Sequence, residues 1–210
     1  IFLLSYDTIT SMANKPSINR SFELGFQIGA KNYVLILGNY IILSIMLIIS
    51  GITIIGILLW PAFYYGYYGS LINVARGNNA SIGDFFKIGF GKFFESLGAS
   101  ILYILGISIG FIILIIPGIY FLVGWFYVPY LILDKNASVG EAFTESMRLV
   151  HNKSGWWKTF CIIFFVFLII LSLNIFLAIP FLGIIIVTIG PVILMPFLQM
   201  VYVIYYLDTL

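Results

Sequence analysis

The ten Lys and Arg and eight Asp and Glu side chains of this 210-residue chain fall in four short clusters, and the stretches between them, 32–75, 96–133 and 159–207, hold none. These stretches are 44, 38 and 49 residues long. One helix crossing a bilayer core needs about 20 predominantly apolar residues, so each stretch accommodates two crossings. The expected fold is an all-α polytopic membrane protein with six transmembrane helices in three hairpins. Each pair of crossings returns the chain to its starting side, so all four charged clusters, with every Lys and Arg, share one face. By the positive-inside rule that face is cytoplasmic.

Backbone polar groups in lipid must pair within the protein, which leaves helices and closed barrels. Barrel strands alternate apolar and polar residues, whereas runs such as Ile41-Ile42-Leu43 and Ile184-Ile185-Ile186-Val187 do not. At 62% hydrophobic and 9% charged residues, the chain lies far from the soluble average of about 25% charged. A net charge of +2 with acids interleaved among the bases argues against a nucleic-acid partner. The single Cys161 cannot form an intrachain disulfide, and Ile1–Leu4 is too short an apolar run for a signal-peptide core.

The chain repeats itself three times. Pro16-Ser17-Ile18-Asn19-Arg20-Ser21-Phe22 matches Ala80-Ser81-Ile82-Gly83-Asp84-Phe85-Phe86 and Ala137-Ser138-Val139-Gly140-Glu141-Ala142-Phe143. Each has a β-branched residue after the Ser and a Phe five positions beyond it, and a small residue follows three later: Gly25, Gly89 and Ser146. Pro61, Pro117 and Pro191 each precede by seventeen residues a polar residue that closes the apolar stretch: Asn78, Asp134 and Asp208. A single membrane domain of three parallel-topology units follows, about 15–78, 79–134 and 135–210. Each unit comprises an amphipathic cytoplasmic helix, an outbound crossing and a Pro-containing return. Ser17, Ser81 and Ser138 are candidate helix caps; Ser81 with Asp84 and Ser138 with Glu141 have capping-box spacing, and Ser17 with Arg20 does not.

A second turn at Pro117-Gly118 would leave a return crossing of only about 16 residues, short of the usual span, so the far-side turns are expected near Ser50-Gly51, Gly106 to Gly110 and Pro180 to Gly183. That places each repeat Pro about ten residues into its return helix, where loss of a backbone donor kinks the helix. Pro61, Pro117 and Pro191 are accordingly candidate hinges. Gly106 and Gly110 also have the G-x-x-x-G spacing that permits close helix approach. Tyr64, Tyr68, Tyr127, Tyr130, Tyr202 and Tyr206, together with Trp156 and Trp157, stand at the cytoplasmic ends of crossings. An aromatic belt at headgroup level explains that placement, and a lipid- or ligand-binding pocket is the alternative.

Catalytic chemistry is scarce. His151, beside Asn152, Lys153 and Ser154, is the one neutral-pH acid or base and has no evident nucleophile or orienting acid. There is no H-E-x-x-H, P-loop, Cys pair or G-x-S-x-G. The acids lack metal-ligand spacing, and no catalytic, metal or cofactor site is expected. The apolar stretches carry no ionisable side chain of the kind ion-coupled transporters place there.

Leu114-Ile115-Ile116-Pro117-Gly118-Ile119-Tyr120, Val128-Pro129-Tyr130 and Glu141-Ala142-Phe143 with Ser146 resemble the prokaryotic six-helix proteins grouped with the membrane domain of glycerophosphoryl diester phosphodiesterase. Asn79-Ala80-Ser81-Ile82-Gly83-Asp84-Phe85-Phe86 looks like the equivalent element in the first half. The likeness extends over about residues 15–210 and rests on structural motifs. It implies a multi-pass protein of the prokaryotic plasma membrane with a role in lipid handling or envelope assembly, and it transfers no catalytic residue.

On sequence alone the leading expectation is a non-enzymatic accessory or scaffold subunit of an envelope or transport complex, with membrane lipids and membrane proteins as partners. Binding or transport of a lipid or small amphiphile is second, and a membrane enzyme acting on phospholipid third.

Overall fold

A computed structural model describes residues 17–78, 80–179 and 182–210. Pro16, Asn79 and Pro180, which the repeat and turn assignments use, lie outside the described residues. Helix makes up 88% of the structure, and there is no strand among the described residues, so the all-α reading holds. Tyr33–Ser50, Phe93–Ile113, Ile115–Asp134, Trp156–Phe176 and Ile185–Thr209 are each long and apolar enough to cross a bilayer. The chain is an integral membrane protein.

The first amphipathic helix, α1 (Ile18–Lys31), breaks at Asn32 and leads into α2 (Tyr33–Ser50). A tight turn follows, fastened by Trp60 Nε1 donating to Ser50 Oγ at 3.1 Å. The chain returns through a short α3 (Ile54–Leu58), capped by Thr53, and α4 (Trp60–Ala75). The second amphipathic helix, α5 (Ile82–Gly91), breaks at Lys92 before α6 (Phe93–Ile113). The return is α7 (Ile115–Gly124) and α8 (Val128–Asp134), separated by a break over Trp125–Tyr127. Then α9 (Val139–Leu149) runs through a π-helical turn at Val150–Ser154 into α10 (Trp156–Ser172). A 3₁₀ segment, Leu173–Ala178, precedes α11 (Leu182–Thr209).

Two of the amphipathic helices are closed by capping boxes. Ser81 Oγ accepts from Asp84 N at 3.2 Å while the Ser81 N–H donates to Asp84 Oδ2 at 2.9 Å. Ser138 and Glu141 repeat the arrangement at 3.4 and 2.9 Å. Ser17 makes no side-chain cap bond; its carbonyl accepts from the Ser21 N–H and hydroxyl instead. From start to break α1 spans 14 residues and α5 spans 10, so α1 is about one helical turn longer than α5 although the Ser motifs align.

The second far-side turn corrects the sequence reading. Helix α6 continues through Gly106 and Gly110 to Ile113, and the chain reverses at the extended Leu114 (φ −166°, ψ 158°). Pro117 is therefore in the first turn of α7, where its missing N–H would have had no intrahelical partner, and not ten residues into a return helix. The glycines serve as packing surface: a Cβ on Gly110 would lie 2.9 Å from Gly118 Cα, and one on Gly106 would overlap the Trp125 ring. Pro61 stands at the start of α4, immediately after the α3–α4 break. Pro191 and Pro196 lie inside α11.

Each amphipathic helix packs on a return helix: α5 on α4, α9 on α8, and α1 on α11. Small residues set these contacts. Gly25 abuts the Val201 backbone, Gly89 abuts the Ala62 carbonyl and Gly66, and Ser146 Oγ donates to the Gly124 carbonyl at 2.8 Å while accepting from the Tyr127 N–H at 3.0 Å. The Ser146 bonds satisfy backbone groups that the α7–α8 break leaves unpaired.

Candidate functional site

In α4, Tyr68 follows Tyr64 by four residues and Tyr65 by three, so both stand on its side of the helix. Ser100 and Tyr103 face them from α6, Phe126 and Tyr130 from the α7–α8 return, and Tyr202 from α11. Between these elements lies a cavity of about 680 Å³ whose remaining walls include Ile57, Leu58, Trp60, Pro61, Ala99 and Ile163. Its rim residues on α3, α4 and α6, among them Leu58, Trp60, Tyr64, Ile101 and Ile104, are exposed. The cavity thus opens sideways, between helices, on an apolar surface.

The walls are aromatic and mutually packed. Tyr68 lies 5.5 Å from Tyr130 and 6.4 Å from Tyr64 between ring centroids, and Phe126 packs edge-on against Tyr202 at 5.0 Å. Such contacts hold the rings in place and orient their hydroxyls. Tyr68 stands between Tyr64 and Tyr130 in this aromatic wall. The hydroxyls of Tyr65, Tyr68, Tyr103, Tyr130 and Tyr202 have no hydrogen-bond partner among the described residues, and they are not sealed from a probe the size of water. The cavity therefore combines apolar walls with several open donor–acceptor groups.

A polar layer closes the helix ends beside it. Asp134, with its side chain 2% exposed, pairs with Arg76 at 2.5 Å and accepts from the Tyr206 hydroxyl at 3.1 Å, tying together the ends of α8, α4 and α11. Tyr127 Oη and Thr209 Oγ1 lie 3.0 Å apart, and Thr159 Oγ1 bridges Ser154 at 3.0 Å and Tyr205 at 3.4 Å. Buried Asp208 pairs with Arg20 at 3.8 Å. A second cavity of about 260 Å³ borders Asn73, Arg76 and Asp134; its one cation is already paired with its one anion.

Of the aromatic residues expected at the interface, Tyr64, Tyr68, Tyr130 and Tyr202 line the large cavity, and Tyr127 and Tyr206 belong to the polar layer. Trp156 stacks on Phe160 at 5.6 Å, and Trp157 is 72% exposed at the start of α10. Of the candidate hinges only Pro61 lines the cavity; Pro117 and Pro191 do not. Sequence reasoning missed Tyr103; it placed Tyr65 with the other tyrosines at the helix ends and Ser100 only among the few polar residues of the apolar stretches. The available signal was the i, i+3 pairing of Ser100 with Tyr103 on an otherwise apolar helix. His151 is exposed, with Nδ1 2.8 Å from the Met147 carbonyl and Nε2 3.2 Å from the Tyr120 hydroxyl. That is a helix-end contact, with no carboxylate partner for the ring among the described residues. Among the described residues no three His, Cys, Asp or Glu side chains converge to hold a metal.

No protein-family model, no curated protein and no solved structure matches the chain.

Proposed function

We propose that this membrane protein binds a lipid or small amphiphile in the tyrosine-lined cavity between α4, α6 and the α7–α8 return. The observation that carries the reading is the coincidence of a cavity of about 680 Å³, within the roughly 300–1,000 Å³ typical of small-molecule sites, with tyrosine hydroxyls that have no hydrogen-bond partner among the described residues. Sequence alone ranks an accessory subunit first. The cavity, assembled from residues far apart in the chain, moves amphiphile binding ahead of it.

The same proposal includes six crossings, the sixth formed by α3 and α4 together, because the 16 residues of α4 are short of a full span. It also includes three parallel-topology units in a ring, in a prokaryotic plasma membrane, with α1, α5 and α9 in the cytoplasmic interface. Two features support the ring. Counting from Tyr33, Phe93 and Trp156, the fourth residue of each outbound helix is buried (Ile36, Ser96, Thr159), and so is the seventh (Asn39, Ala99, Ile162). Each amphipathic helix also packs on the return of the preceding unit, with α1 on α11 closing the circle. Tyr68 lies eight residues before Arg76, so the tyrosine cluster sits about 12 Å below the charged layer, at the depth where a lipid's polar group meets its chains.

Native mass spectrometry of the protein released in its own membrane patch tests the binding reading. A bound lipid, lost when Ser100→Leu fills the cavity, is expected; an unoccupied protein, or occupancy indifferent to Ser100→Leu, would refute it. For topology, single cysteines at Ser81 and Asn136 are expected to label from the cytoplasm and those at Ile52 and Leu114 from outside. Labelling of Asn136 from outside would break the six-crossing arrangement.

A further inference from the structure

Resting on the amphiphile-binding reading, we infer that the ligand is an uncharged lipid whose polar part is a hydroxyl, carbonyl or ester, and not a phospholipid. Among the described residues the cavity wall contains no Asp, Glu, Lys, Arg or His. A phosphate drawn into such a site would be a buried charge without a counter-charge, which is among the most costly arrangements in a low-dielectric interior.

The nearest cations along α4 and α6 are already paired, and Lys135, just past the end of α8, is exposed and does not line the cavity. Arg76, eight residues beyond Tyr68 on α4, is held by Asp134 at 2.5 Å. Lys92, eight residues before Ser100, is held by Glu95 at 3.4 Å. Arg76 is about 12 Å along its helix from Tyr68 and Lys92 about 16 Å from Tyr103, beyond hydrogen-bond reach of a group seated there.

The groups that do face the cavity suit neutral oxygen chemistry. A phenol hydroxyl both donates and accepts, as does the Ser100 hydroxyl, so the cluster of Tyr64, Tyr65, Tyr68, Tyr103, Tyr130 and Tyr202 can pair a ligand hydroxyl and an ester carbonyl together. The apolar remainder, Ile57, Leu58, Ile101, Ile104, Leu122 and Ile163, takes the hydrocarbon. The exposed rim on α3, α4 and α6 lets a chain enter from the bilayer without crossing water.

The test compares two probes with identical chains, 1,2-dioleoylglycerol and 1,2-dioleoyl-glycero-3-phosphate, each titrated against the full chain in detergent and read by native mass spectrometry. Variants Tyr68→Phe, Tyr103→Phe and Ser100→Leu are measured beside it, with circular dichroism and size-exclusion elution as folding controls. The diglyceride is expected to bind one to one and about tenfold or more tighter than the phosphatidate. Each Tyr→Phe change is expected to weaken it by about three- to tenfold, and Ser100→Leu to abolish it. Equal or tighter binding of the phosphatidate, still abolished by Ser100→Leu, would overturn the neutral-ligand inference and leave the cavity as a lipid site. Binding of neither probe, or binding indifferent to Ser100→Leu, would overturn the inference together with the amphiphile-binding reading.

Discussion

Gly25 and Gly38 should respond to the same substitution with opposite signs. A Cβ on Gly25 would lie 2.8 Å from Val201 Cα and 2.9 Å from Val201 N, whereas a Cβ on Gly38 would have nothing within 4 Å. The Val201 atoms are backbone, so no rotamer change relieves the overlap. Helix α1 must move away from α11 by several tenths of an ångström along its whole contact. Overpacking of this kind costs about 1–3 kcal/mol, offset by the roughly 0.5–1 kcal/mol that Ala gains over Gly in a helix. Gly25→Ala should then lose about 1–2 kcal/mol, equivalent to about 2–8 °C in Tm for a chain of this size. Gly38→Ala should gain up to about 1 kcal/mol. The assay is thermal unfolding in detergent, paired with labelling of a cysteine at Ser21, which is fully buried and should become accessible only in the Gly25→Ala background. Unchanged Tm and protection in Gly25→Ala would refute the backbone-on-backbone packing of α1 against α11.

Three further outcomes are expected. Ser146→Ala leaves the Tyr127 N–H and Gly124 carbonyl buried without their partner and should cost about 1–3 kcal/mol, seen as a lower Tm and faster amide exchange at Tyr127. Arg76→Ala should destabilise more than Asp134→Ala, because it strands a carboxylate that is 2% exposed while the reverse change strands a guanidinium that is 40% exposed. A double-mutant cycle should give a coupling below the about 3–5 kcal/mol of a fully buried pair. In the capping boxes, the Ser81 N–H and hydroxyl hold the Asp84 carboxyl below its ordinary range, and the Ser138 hydroxyl and N–H do the same for Glu141. A depressed folded-state pKa contributes stability that is complete above the unfolded value and disappears as pH falls through the folded one. The wild type should therefore lose more helicity than Ser81→Ala with Ser138→Ala when acidified below about pH 4; parallel acid profiles would refute the contribution of the caps.

Charge spacing made the helices legible because expelling ions from lipid is a strong, local constraint that any window of 20 residues reveals. The caps were legible for the same reason: Ser138 and Glu141 are three residues apart and need no tertiary information. The turn at Leu114 was not, because Gly106 and Gly110 have two meanings. In water a glycine pair marks a turn; in a helix packed at close range it marks the surface that meets Gly118 and Trp125. The extra turn of α1 was hidden because the Ser motif registers helix starts and says nothing about where Asn32 and Lys92 interrupt them. The aromatic residues could be placed along their helices from sequence, but not in azimuth. A belt position fixes how far along the axis Tyr68 and Tyr206 stand, but only packing decides that Tyr68 turns toward a cavity and Tyr206 toward Asp134.

The cavity has a local cause that connects these points. At the eighth residue from the start of each outbound helix stand Tyr40, Ser100 and Ile163. Tyr40 fills its place against Tyr67, ring centroids 5.6 Å apart and edge-on. Ser100 stands where that ring would be and leaves the space between α4 and α6 open. A chain built only to span and scaffold gains dispersion energy from a large residue there, as α2 does with Tyr40. A small hydroxylated residue at that one place, beside the tyrosines that line the cavity, forgoes that packing. On the proposal of amphiphile binding, a ligand seated in that space would recover the loss.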